Sequence, residues 1–126
     1  MAVLSDTQRD AVFAAIIEAA EQAVLPRFQN LADHEIGSKS NPSDLVTIAD
    51  REAEALLTAS LSAILPGSVV VGEESVAANP ALLDAINGLA PVWIVDPVDG
   101  TRNYANGQTP FCVMVALVQD GITVGA

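Results

Sequence analysis

Apolar residues recur at helical spacing near the start of the chain, at Val12, Ile16, Ala20 and Val24. Ser5, followed three residues later by Gln8, has the form of a capping box in front of them. The pattern predicts a long first helix that Pro26 ends or kinks, with Phe28 packing just beyond. Residues 31–43 mix charge with Gly37 and Pro42 and read as a loop or short hairpin. Ala49, Ala53, Leu56, Leu57, Ser60, Leu61 and Ile64 then line one face of a second helix, which Pro66-Gly67 stops. The β-branched run Val69-Val70-Val71 predicts a short strand closed by Glu73-Glu74, and residues 76–88 predict a short helix and loop. Near the end, residues 111–119 and 122–126 read as two strands joined by a turn at Asp120-Gly121.

Between these elements lies Trp93-Ile94-Val95-Asp96-Pro97-Val98-Asp99-Gly100-Thr101-Arg102-Asn103-Tyr104. It begins as a buried strand and breaks into a turn that carries two carboxylates, a proline, a glycine and a hydroxyl. In a regular strand Asp96 and Asp99 would point to opposite faces, roughly 10 Å apart at about 3.3 Å per residue. A tight turn directly after Asp96, favoured by Pro97, would bring them together. Two adjacent carboxylates repel unless a proton or cation lies between them, and hard oxygen ligands suit Mg²⁺ or Mn²⁺. Gly100 would let backbone N–H groups approach an anion, and Thr101 adds a hydroxyl. Taken alone, the twelve residues fit an ordinary turn equally well, because Asp-Gly and Asp-Pro are common turn dipeptides.

Composition narrows the field. The 126 residues suffice for one domain, and a hydrophobic content of 51% excludes disorder. A formal net charge of −11 is the wrong sign for nucleic acid or an anionic membrane surface. It also repels phosphorylated substrates unless divalent cations invert the local field. Cys112 is the sole cysteine, so no internal disulfide forms, and a reducing, cytoplasmic setting is expected. Its apolar neighbours predict a buried structural thiol. The lone His34 reads as a solvated surface residue. No apolar run approaches membrane-spanning length, and the first residues lack the basic start of a signal peptide.

Three segments together resemble the inositol monophosphatase family of metal-dependent, lithium-sensitive phosphatases. They are Asp44-Leu45-Val46-Thr47 with Asp50, Gly72-Glu73-Glu74-Ser75, and residues 93–104, which carry the Asp-Pro-aliphatic-Asp-Gly-Thr-x-Asn-aromatic signature. The resemblance implies that Glu73, Asp96, Asp99 and the main-chain carbonyl of Val98 bind Mg²⁺, two or three ions per complete site, with Asp96 bridging two. It implies that the turn Val98-Asp99-Gly100-Thr101 receives the substrate phosphate, chiefly through Gly100 and Thr101. It assigns catalysis to Glu73, Thr101 and Asp50, with Asp50 pairing with the Thr101 hydroxyl to orient or deprotonate the attacking water. Lys39 matches a family lysine near the metal site. The implied partners are a small phosphorylated substrate and a second copy of the chain in a homodimer.

The implied architecture is α+β, with two long helices in one layer on a mainly antiparallel sheet. It corresponds to the N-terminal part of a larger layered α/β sugar-phosphatase fold. No segment matches the family's later Trp-Asp-x-Ala-Ala-Gly pattern, and the sequence stops within an apolar strand, so residues 1–126 are expected to be the front of a longer polypeptide. Two alternatives stay open. One is a related substrate such as histidinol phosphate, a nucleotide bisphosphate or a sugar bisphosphate, which Arg102 and Asn103 do not discriminate. The other is a catalytically incomplete metal-binding or dimerisation module.

Overall fold

A computed structural model of the chain describes residues 4–38 and 45–126. Helix α1 (Asp6–Ala19) starts on the expected capping box: the Ser5 hydroxyl accepts from the Gln8 N–H at 3.1 Å, and the Gln8 side chain accepts from the Ser5 N–H at 2.9 Å. The helix runs on through a π turn at Ala20–Val24 and ends in a 3₁₀ turn at Leu25–Arg27, where Pro26 cannot continue the ladder. Ala15, Ala19 and Ala23 are buried, and their small side chains let α1 lie close to α2 (Ile48–Ile64). On α2 the buried residues Ala49, Ala53, Leu57 and Leu61 recur at i, i+4 spacing, with Leu56 and Ile64 at the margin.

Strands β1 (Ile36–Ser38) and β2 (Leu45–Thr47) form a small antiparallel pair. Of the loop or short hairpin expected over residues 31–43, the described residues contain the strand β1. The partner of that strand, β2, lies beyond the span and directly precedes α2. The main sheet consists of β3 (Val69–Gly72), β4 (Val92–Asp99), β5 (Cys112–Gln119) and β6 (Ile122–Gly125), in that order. Strands β3 and β4 are parallel, while β4–β5 and β5–β6 are antiparallel. The parallel pair requires a crossover, which α3 (Glu73–Ala78) and a 3₁₀ helix at Pro80–Asn87 supply. The tight β5–β6 turn at Asp120-Gly121 has positive φ at both residues, as an Asp-Gly hairpin turn demands.

Trp93, Val95 and Leu117 point from the sheet into one core shared with α1 and α2, which gives the α+β arrangement of two helices on a mixed sheet. The Trp93 indole N–H donates to Ser68 Oγ at 3.1 Å. Helix α4 (Thr101–Ala105) is fastened to the end of the π turn by Tyr104, which is fully buried and donates its hydroxyl to the Val24 carbonyl at 2.5 Å. Its ring meets Phe28 and Phe111 at centroid distances of 5.9 and 5.1 Å. Burial pushes the Tyr104 pKa up to about 12. Among the described residues no helix is long and apolar enough to cross a membrane.

The chain has one tyrosine, so its phenol can be titrated without interference. In the folded protein it is expected to ionise near pH 12 rather than 10, and stability is expected to fall between those values because the unfolded chain loses the proton first. An ultraviolet titration with a midpoint near 10 in the still-folded protein would contradict the buried placement.

Candidate active site

The tight turn expected after Asp96 is absent. Strand β4 continues through Pro97 and Val98, and the chain turns only at Gly100. Asp96 pairs with Met114 and Asp99 with Cys112, so β4 takes three steps where β5 takes two. That extra residue is a β-bulge. Residues opposite one another in an antiparallel pair project to the same face, and Cys112 and Met114, two apart, share one. The bulge therefore turns both carboxylates to the same side. Pro97, buried and without an N–H, suits a position where the ladder is interrupted.

The parallel register places Gly72 beside Val95, so Glu73 comes level with Asp96. Asp96 ends up between two other acids. Burial is the largest cause that raises its pKa to about 8, followed by the hydrogen bond and charge of Glu73 and then by Asp99. One of its oxygens, Oδ1, is buried without a hydrogen-bond partner. Such an oxygen in an all-oxygen donor set suits a hard divalent cation. As the side chains stand, no group of three or more His, Cys, Asp or Glu among the described residues is arranged to hold a metal ion. Without a cation the acids hydrogen-bond to one another, and a proton on Asp96 relieves their repulsion.

Next to the acids is a second constellation. Asp50 is fully buried at the start of α2, where its Oδ2 accepts from the Thr47 N–H at 2.8 Å and from the Thr47 hydroxyl at 2.7 Å. Its Oδ1 lies 2.9 Å from Thr101 Oγ1, which is also 2.8 Å from the Val98 carbonyl oxygen. One hydroxyl proton serves one acceptor at a time. The Thr101 backbone is set by Gly100, which has φ +85° and so favours glycine. A Cβ there would also lie 2.8 Å from the Pro110 carbonyl. Asn103 donates to that same carbonyl at 2.9 Å, so it secures the following loop.

A sequence model of the inositol monophosphatase family matches residues 6–126. The chain belongs to the inositol monophosphatase family. An inositol-1-monophosphatase of Mycobacterium leprae is 39% identical over 89 residues, covering 71% of the chain and 30% of that relative. The solved extragenic suppressor protein suhB of Bartonella henselae superposes with a TM-score of 0.73 at 27% identity, covering 94% of the chain and 43% of the neighbour. A staphylococcal inositol monophosphatase-1, solved as an inhibitory complex soaked in LiCl, has a TM-score of 0.73 at 21% identity and covers 97% and 43%. That last likeness speaks for the inositol monophosphatase fold alone. The chain thus spans less than half the length of these relatives.

Of the residues singled out from sequence, Glu73, Asp96 and Asp99 meet at the ends of β3 and β4, and Asp50, Val98, Gly100 and Thr101 adjoin them. Lys39 lies outside the described residues. Cys112 is a correction: it is exposed, with Sγ 3.9 Å from Asp99 Oδ2, because the face of β5 carrying Cys112 and Met114 points away from the helices. His34 is exposed, as expected. Two roles were missed. Thr47-x-x-Asp50 is a capping box readable from its spacing. Glu54, buried one turn beyond Asp50, gave only the faint signal of an acid beside an apolar stripe.

Asp96 binds its proton more tightly in the fold than in the unfolded chain, so the protein free of metal is expected to lose stability as pH rises from about 3.8 towards about 8. Thermal unfolding in the presence of a chelator should show this decline, and Asp96→Asn should flatten it. An identical slope in the variant would contradict the buried three-acid cluster.

Proposed function

We propose that residues 1–126 form the N-terminal, metal-holding portion of a Mg²⁺-dependent phosphomonoesterase of the inositol monophosphatase type. The observation that carries this reading is the buried, unpartnered Oδ1 of Asp96 between Glu73 and Asp99, beside the Asp50–Thr101 pair. Glu73, Asp96, Asp99 and the Val98 carbonyl would hold the ions. Bound Mg²⁺ would lower the pKa of a coordinated water from about 15.7 and neutralise charge on the phosphoryl oxygens.

The chain's own residues do the rest. When the Thr101 hydroxyl donates to Asp50, its oxygen is left as an acceptor that orients an incoming water, and the buried carboxylate draws that water's proton through the hydroxyl. Glu73, whose side chain is exposed, would also lie close to that water. Gly100 and Thr101 present main-chain N–H and hydroxyl groups to the phosphate and fix its orientation for in-line attack. This scheme needs no histidine, and His34 is exposed in a 3₁₀ turn at Asp33–Glu35.

The net charge of −11 over these 126 residues repels a phosphate ester, so bound cations would serve its capture as well as its hydrolysis. Relatives named inositol-1-monophosphatase make an inositol phosphate the first substrate to try. A cytoplasmic homodimer inhibited by Li⁺ belongs to the same reading.

Phosphate release by the complete polypeptide is expected to require Mg²⁺, to be inhibited by Li⁺, and to fall more than about 100-fold in Asp96→Asn or Asp99→Asn with the fold intact. Either variant turning over at the parent rate would refute these roles.

A further inference from the structure

The side chain of Glu73 is exposed and reaches Asp96 by a hydrogen bond, so whether it makes that contact depends on where its backbone is held. That backbone is the first residue of α3, a short helix whose N-cap residue, Gly72, has no side chain with which to cap it. The missing acceptor comes from another element. Glu54 on α2, 6% exposed, takes the Glu74 N–H at 2.8 Å on Oε1, and takes the Ser75 N–H at 3.0 Å and the Ser75 hydroxyl at 2.5 Å on Oε2. Three donors on one carboxylate account for its burial.

The two elements are shaped to each other. A Cβ at position 72 would lie 2.2 Å from the Glu54 Cδ, so the carboxylate reaches α3 only because residue 72 is glycine. Asp50 and Glu54 are four residues apart on α2 and so share a face. Asp50 holds Thr101, and Glu54 holds the start of α3. The helix therefore sets the spacing between the water-orienting pair and the acid that meets Asp96.

We propose that Glu54 is a positioning residue, whose buried carboxylate caps α3 and thereby places Glu73 for divalent-cation binding beside Asp96. The inference rests on the metal-dependent reading above. Glu54→Gln keeps the shape but leaves one acceptor oxygen for three donors and turns an NH₂ group towards an N–H.

In the complete polypeptide, Mn²⁺ affinity by titration calorimetry is expected to drop about 10–100-fold in Glu54→Gln. Amide exchange at Glu74 and Ser75 should accelerate in the metal-free variant. Leu61→Ala, which removes a core side chain elsewhere on α2, should lower the melting temperature and leave Mn²⁺ affinity unchanged, separating positioning from general destabilisation. If Glu54→Gln does not fold, Ser75→Ala carries the test with a smaller loss of affinity and faster exchange at Ser75. Parent-like Mn²⁺ affinity in whichever variant carries the test overturns the role of Glu54 and leaves the phosphatase reading standing. A parent protein that binds no Mn²⁺ overturns that reading itself.

Discussion

Asp96 and Asp99 can act on a common point only because β4 carries one more residue than β5 between their pairing positions. A regular ladder would send one carboxylate into the core face and leave the other on the open face. With the extra residue, both project on the side away from α1 and α2, while Trp93, Val95 and Val98 fill the core. The parallel neighbour β3 ends at the same level, which brings in Glu73. The chemistry proposed for this chain depends on that local irregularity in an otherwise ordinary sheet.

Gathering acids in a protein of net charge −11 is unfavourable, and the pKa of Asp96, raised to about 8, expresses the conflict. A proton relieves it in the metal-free protein, and a cation would relieve it better. Around the cluster the chain is held firmly. Asp50 and Glu54 spend their carboxylates on Thr47, Thr101 and the start of α3, and Tyr104 anchors α4 to the end of the π turn. Local frustration within a rigid surround is the expected signature of a functional site.

Much of this was legible from the residues. Periodicity and capping fixed α1 and the inner face of α2, because Ser5, Gln8 and the i, i+4 alanines and leucines act locally. The Asp-Gly turn before β6 was equally clear. The bulge was not, because Pro97 suits an extended strand and a tight turn alike, and only pairing with β5 decides between them. Cys112 looked buried because its neighbours are apolar, yet its side chain follows the parity of Met114 on the open face of the sheet. The role of Glu54 was not legible because its partners lie about twenty positions away on α3, beyond the reach of any local pattern.

Anomalous diffraction from crystals of the complete polypeptide soaked in Mn²⁺ tests the central claim most directly. The account predicts a peak within coordination distance of Asp96 Oδ1, flanked by Glu73 and Asp99. Density that places Mn²⁺ elsewhere, with these three carboxyl groups still bonded to one another, would contradict it.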